Sequence, residues 1–266
     1  MQPIPAAGIH QTKAPRSGPV PVAAGIAELG LDLQPGLTVL DVGCGDGALT
    51  AEIAQAVGPV AKVVGVELDS HCVEEARARY GDIMNLAFEQ GDLRGLDGTA
   101  KFDVVLARRV LHDLVDAPEA VRRLAANLRP GGLLVAIDDD LSAVAQASGD
   151  LPPALWRFFQ GFLDWRASHG LHNGVAQCLS TWFQNAGLVN VEERESVREL
   201  PRREHESPCS CGLWWRALHV RGPVMVNSGV ITPDVLVAAQ ESYQQWLASG
   251  TTPRLRVVTV HGRMPA

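Results

Sequence analysis

No stretch of eighteen apolar residues occurs in this 266-residue chain, so no segment reads as a membrane-spanning helix. Nor does it contain a run of Lys and Arg. The formal net charge is −7, a sign that argues against a phosphate-backbone partner, and Arg202-Arg203 stands between acids like a solvated pair. The N-terminus lacks a charged start followed by a hydrophobic run, so no secretory signal is expected. Five cysteines are an odd number in a mid-sized chain with no secretory signal, and reduced thiols in a cytoplasmic protein are the expectation. The Cys209/Cys211 pair has only His205 nearby, which is too few ligands for a metal site, and no metal is expected. Internal repeats are absent. Hydrophobic residues at 46% of the chain suffice for one sizeable core.

Against those absences stands one informative stretch, Val39-Leu40-Asp41-Val42-Gly43-Cys44-Gly45-Asp46-Gly47-Ala48-Leu49-Thr50. Leu37, Val39, Leu40 and Val42 form the apolar run of a strand covered on both faces. Gly43, Gly45 and Gly47 allow a sharp turn and close approach of a ligand to the backbone. Residues 48–57 follow with the helical spacing of Leu49, Ile53 and Val57. A strand, glycine turn and helix opening an α/β sheet is a nucleotide-binding arrangement. The spacing is GxGxG, not the GxGxxG of dinucleotide sites. Asp41 would repel a pyrophosphate and suits a ligand carrying an amine or a positive charge. Glu67 ends the next apolar run, Val63-Val64-Gly65-Val66, where an acid is expected to hold ribose hydroxyls.

The segments VLDVGCGDGALT and VVGVELD resemble the class I S-adenosylmethionine (SAM) dependent methyltransferases. Further blocks match in order: Phe88-Glu89-Gln90-Gly91-Asp92 at the end of strand three, Phe102 to Ala107 as strand four with Val110-Leu111-His112-Asp113-Leu114 after it, Leu128 to Val135 as the turn into strand five, Phe183 to Val191 as the entry to strand six, and Arg254 to Pro265 as the last strand. The likeness covers roughly residues 30–137, 174–196 and 252–265. It implies a Rossmann-like, seven-stranded, mostly parallel sheet with its last strand antiparallel, and SAM as cofactor with S-adenosylhomocysteine as product. Carried onto this sequence, the cofactor site would comprise Asp41, Gly43, Cys44, Gly45, Gly47, Glu67, Leu68, Gly91, Asp92, Leu93 and Arg108. The branch that it most resembles acts on small molecules of the ubiquinone and menaquinone type.

Residues 1–30 read as an irregular Pro- and Gly-bearing arm followed by a helix from about Val20 to Leu29, and 31–266 as the methyltransferase domain. Two insertions interrupt it, at about 138–173 and 200–250, and they hold five of the six tryptophans. They are expected to form a helical cap over the carboxyl ends of the strands. Most of their rings should pack on one another, while Trp156, Phe159, His169 and Trp215, with Arg109 and His112, are candidates for the acceptor pocket.

Methyl transfer from a sulfonium needs alignment, exclusion of water and, for a hydroxyl acceptor, a general base. His112, following strand four, is the leading base candidate, since its ordinary pKa lies near neutrality. The alternative is that it only packs beside the cofactor. Asp138 of Asp138-Asp139-Asp140 is a weaker catalytic candidate, and at least two of these three acids are expected to begin a solvated loop. Catechol-type enzymes place a metal here, but the chain has Ala107-Arg108-Arg109 where they carry a further acid. Arg108 or Arg109 could bind an acidic acceptor or pair with those aspartates. Asp116 and Glu119 match a helix capping box. His169 and His172 are expected to be inert. A small, partly hydrophobic acceptor is expected, with oxygen before nitrogen before carbon, in specialised-metabolite biosynthesis, with no nucleic acid and no membrane partner and a homodimer admitted. Rival readings are a macromolecular methyltransferase, for which no Asn-Pro-Pro-Tyr follows strand four, and a SAM-binding fold that cyclises, rearranges or scaffolds instead of methylating.

Overall fold

The computed structural model describes residues 25–31, 33–144, 151–199, 209, 212–250 and 254–266. The expected arm and the first residues of the expected helix lie outside that set, which begins just before α1 (Ile26–Leu29). Seven strands form one sheet: β1 (Thr38–Val42), β2 (Lys62–Glu67), β3 (Leu86–Gln90), β4 (Phe102–Arg108), β5 (Leu128–Asp139), β6 (Val189–Glu199) and β7 (Arg254–Arg263). Their order is β3-β2-β1-β4-β5-β7-β6. The first five run parallel, and β7 lies antiparallel between β5 and β6. The strand order reverses between β1 and β4, and the crevice beyond their carboxyl ends is where open α/β sheets bind ligands.

Alternation along β1 explains the two helical layers. Val39 points into a cluster with Leu49, Ile53 and Val57 of α2 (Ala48–Val57). Leu40 and Val42 point the other way, against α4 (Ala117–Ala126) and α6 (Val175–Asn185) through Val121, Leu124, Leu179 and Phe183. α3 (Ser70–Tyr80) begins three residues after Glu67, with the Asp69 side chain accepting from the His71 N–H. Asp116 caps α4 by accepting from the Glu119 N–H at 3.3 Å, the capping box read from sequence.

The insertions build a second, separate core. α5 (Pro153–Ser168) supplies Phe158, Phe159, Phe162 and Trp165. α7 starts at Leu213–Trp215, passes through a π-helical stretch at Arg216–Arg221 and ends as Gly222–Asn227, giving Trp214, Leu218 and Met225. α8 (Pro233–Ala248) adds Tyr243 and Trp246. Phe159 and Trp214 meet with ring centroids 5.0 Å apart, and Trp214 meets Trp246 edge-on at 6.1 Å.

The expectation of reduced thiols needs a correction. Cys72, in α3, and Cys209 are joined by a disulfide with their Cα atoms 5.5 Å apart. Their separation of 137 residues hid the pairing from sequence. Cys44 and Cys178 are free, and Cys211 lies outside the described residues. Among the described residues, no helix is long and apolar enough to cross a membrane. Non-reducing digestion should release a linked Cys72–Cys209 peptide that a dithiol resolves. Reduction should lower stability by on the order of 3–5 kcal/mol for so long a loop. Recovery of both as free thiols from protein alkylated at purification would refute the link.

Candidate active site

The turn after β1 is shaped by what its glycines exclude. Gly43 has φ 72°, and a Cβ there would stand 2.2 Å from Val110 Cγ2. Gly47, at φ 77°, would meet the Phe88 ring at 2.6 Å. Only glycine fits either position. Cys44 packs inward with Val73, Ala76 and Phe88, and burial raises its thiol pKa. It is a core residue whose backbone alone can meet a ligand.

Glu67 reaches this turn from the end of β2. One carboxylate oxygen accepts from Gly45 N at 3.0 Å, and the other from Leu68 N at 2.8 Å and Asp69 N at 3.1 Å. Asp41 is turned toward α2 instead, 2% exposed, accepting from the Thr50 hydroxyl at 2.7 Å. Burial pushes its carboxyl up to about 6, opposed by the Thr50 hydrogen bond and Arg108. On the β3 side, Gly91 N donates to Glu67 O at 3.0 Å. Asp92 is held by Arg94, through the backbone N–H at 2.8 Å and an ion pair. Leu93 is core, and Leu68 is 60% exposed.

The centre of the crevice is a buried ion-pair chain. His112, in the 3-10 turn Leu111–Asp113 after β4, hydrogen-bonds through Nδ1 to Oδ1 of Asp138 at the end of β5. The other Asp138 oxygen accepts from Leu111 N at 3.1 Å. Nε2 of His112 faces Asp113 Oδ2 at 3.8 Å. Arg166 of α5 closes the group. It donates to His112 O, pairs with Asp113 at 3.2 Å and donates to Asn173 at 2.9 Å. Burial alone would lower the His112 pKa, but the Asp138 and Asp113 carboxylates outweigh it and raise it.

Several expected roles are corrected. Asp139 and Asp140 do not start a solvated loop: Asp138, Asp139 and Asp140 are 0%, 3% and 0% exposed. Each has a partner to offset burial. Asp139 lies 3.6 Å from Arg198, and Asp140 accepts from Ser142, Gln177 and Arg256. Arg108 and Arg109 both pair with Glu28 of α1, at 3.3 and 3.1 Å. Arg109 does so at φ 60°, an uncommon conformation for a residue with a side chain. Phe159 is wholly buried in the cap core and cannot line a pocket. His169 caps α5 through Nδ1 at 2.8 Å from Trp165 O. Trp156 and Trp215 are partly exposed, Trp156 stacked on Phe159 and Trp215 on His219. Glu28, Thr50, Asp113 and Arg166 had not been singled out. Arg166 carried one readable signal, a cation on an otherwise aromatic helical face.

A family model described as a methyltransferase domain matches residues 33–161. The trans-aconitate 2-methyltransferase of Deinococcus radiodurans is 41% identical over 126 residues, 47% of this chain and 45% of that protein. The demethylmenaquinone methyltransferase of Lactococcus lactis subsp. lactis is 29% identical over 170 residues, 59% of this chain and 68% of that one. The chain carries a class I SAM-dependent methyltransferase domain. It aligns with about half the length of the first relative. A solved phosphoethanolamine N-methyltransferase 2 of Haemonchus contortus, in complex with phosphomonomethylethanolamine and S-adenosylhomocysteine, shares the fold. The TM-score is 0.55 at 14% identity, covering 88% of this chain and 50% of that one.

The methyltransferase site fits its cofactor class. Carboxylates of Asp41, Asp46 and Glu67 surround a turn that two glycines keep bare, a donor-poor setting suited to a cationic nucleoside and not to a pyrophosphate. The cavity of about 450 Å³ between Leu37, Asp103, Arg129 and Arg263 lies at the opposite, amino-terminal edge of the sheet; the chemistry points to the carboxyl edge. A raised Asp41 pKa means that the folded state holds that proton more tightly. The penalty is therefore present above pH 6 and fades as pH falls toward 3.8. Two pK units correspond to about 3 kcal/mol. Asp41→Asn should stabilise the protein by ~1–3 kcal/mol at pH 8 in urea titrations, with the gain shrinking toward pH 4. A loss of stability at pH 8 would remove the buried charge as the cause.

Proposed function

We propose that this enzyme moves the methyl group of SAM to an oxygen of a small, partly apolar metabolite, with nitrogen and then carbon as the next acceptors, in specialised-metabolite biosynthesis. The observation that carries the reading is the His112–Asp138 pair at the carboxyl ends of β4 and β5, beneath an aromatic cap. Relatives named for trans-aconitate and demethylmenaquinone support a small acceptor. The net charge of −7 supports the absence of a nucleic-acid partner. A cytoplasmic location belongs to the same reading; there the Cys72–Cys209 bond has to persist against a reducing thiol pool. A homodimer is the proposed assembly, checked by light scattering against the 28.5 kDa chain mass.

When bound, SAM supplies a methyl group already activated on a cationic sulfur. The glycine turn and Glu67 are the groups that would hold its adenosyl end. Asp138 accepts from Nδ1 and so leaves Nε2, which lies beside Asp113, as the basic nitrogen. His112 takes the acceptor hydroxyl proton at Nε2 as the oxygen becomes nucleophilic. The cap, with Phe158, Phe162, Trp165 and Trp214 buried, excludes water from the exchange.

Because the two acids raise the His112 pKa, its basic form gains population only as pH rises above the ordinary value of about 6.5. kcat/KM should therefore climb through that range. His112→Asn, which keeps a donor toward Asp138, should lower kcat by about a hundredfold or more and leave SAM affinity unchanged. Unchanged turnover, read as S-adenosylhomocysteine release, would take His112 out of the reaction. Calorimetric titration with SAM, S-adenosylhomocysteine and NAD tests the cofactor. Both adenosyl ligands should bind, and Glu67→Ala should weaken them by roughly 1–3 kcal/mol. Binding of NAD alone would overturn the reading.

A further inference from the structure

Three guanidinium groups gather about the one carboxylate of Asp113. Arg166 is fully used, with its three nitrogens bound to Asn173, Asp113 and His112 O. Arg216 is not: its one pairing among the described residues, to Asp113 Oδ2, is 3.7 Å long, and 49% of its side chain is exposed. Arg221 sits 5.8 Å from the Trp165 ring and makes no hydrogen bond or ion pair among the described residues. Two further donors are stranded. The indole N–H groups of Trp165 and Trp214 are buried without an acceptor among the described residues, and indole can only donate. Each such group costs free energy until an acceptor arrives.

The backbone marks the same place. Arg216 and Arg221 are the first and last residues of the π-helical stretch. That geometry bonds residues five apart, and it recurs at functional sites. Distance ties Arg216 to His112. His112 Nε2 is 3.8 Å and Arg216 3.7 Å from the same oxygen, Asp113 Oδ2. The imidazole and this guanidinium nitrogen are thus at most about 7.5 Å apart, the sum of the two distances. One aromatic ring bearing a hydroxyl and a carboxylate spans such a gap.

Resting on the methyl-transfer reading above, we infer that Arg216 and Arg221 form an anion subsite that grips a carboxylate of the acceptor, and that the acceptor class is a hydroxylated aryl carboxylate. Its ring packs among the cap aromatics, its carboxylate meets the two guanidinium groups, and its hydroxyl reaches Nε2 of His112. Arg108 and Arg109, which share the Glu28 carboxylate, take no part.

Calorimetry with 3,4-dihydroxybenzoate and its methyl ester tests this, with and without saturating S-adenosylhomocysteine. The acid should bind at least tenfold more tightly than the ester, and added NaCl should erode the difference. In Arg216→Gln/Arg221→Gln the preference should collapse to within twofold while S-adenosylhomocysteine affinity and melting temperature hold. Equal binding of acid and ester by the unaltered protein, binding of neither, or full acid preference in the double variant would overturn the subsite. Should the variant fail to fold, the acid–ester ratio and its salt dependence in the unaltered protein decide alone. Failure of S-adenosylhomocysteine to bind the unaltered protein would instead sink the methyltransferase reading, and the acid–ester comparison without it still judges the subsite.

Discussion

Asp138 is wholly buried, and a buried carboxylate persists only where charge and donors surround it. Its two oxygens take the Nδ1 side of His112 and the backbone N–H of Leu111. Those contacts fix the turn after β4 against the end of β5. That turn in turn offers His112 O and the Asp113 carboxylate to Arg166, the residue through which α5 is pinned to the sheet. One desolvated acid thereby sets the imidazole, the turn that carries it and the seat of the cap. Truncating Asp138 would strand an imidazolium and free a backbone donor together, so its effect on activity would not be separable from its effect on packing.

Its neighbours solve the same problem with different partners. Asp139 faces Arg198 of β6, and Asp140 faces Arg256 of β7 and Gln177 of α6. β5 is the last of the parallel strands and β7 its antiparallel neighbour, so its end is where a chain reversing direction must be held in register. Three successive acids reach four different elements there, and each is expensive to misplace.

Local signals were legible in the sequence and long-range pairings were not. The glycine turn, the acid ending β2 and the capping box of α4 rest on neighbours within a few residues, and spacing reveals them, whereas the seven-stranded sheet came from the family resemblance. His112 and Asp138 were both singled out, though not as a pair. Asp139 and Asp140 were misjudged because acids at a strand end are usually solvated, and the cations that bury them lie 59 and 116 residues on, at Arg198 and Arg256. Glu28, which pairs with both Arg108 and Arg109, lies 80 and 81 residues before them. Cys72 and Cys209 share no motif at all. Each miss is a contact that exists only once the sheet has brought distant ends together.

The two sides of the crevice are closed by forces of different kinds. On the adenosyl side the bond from α3 fixes Cys209 within 5.5 Å of Cys72, and the Cys209 carbonyl lies 3.0 Å from where a Cβ on Gly45 would be. A covalent tie yields little to a ligand. On the acceptor side Arg216 meets Asp113 at 3.7 Å with half its side chain in water, a pairing worth under about 1 kcal/mol at such exposure. A carboxylate brought by a ligand competes with that contact on nearly equal terms and gains the Arg221 guanidinium besides. The weak pair can therefore exchange its anion without disturbing Arg166, which is buried and bound at every nitrogen, so recognition of the acceptor and support of the cap fall to different arginines.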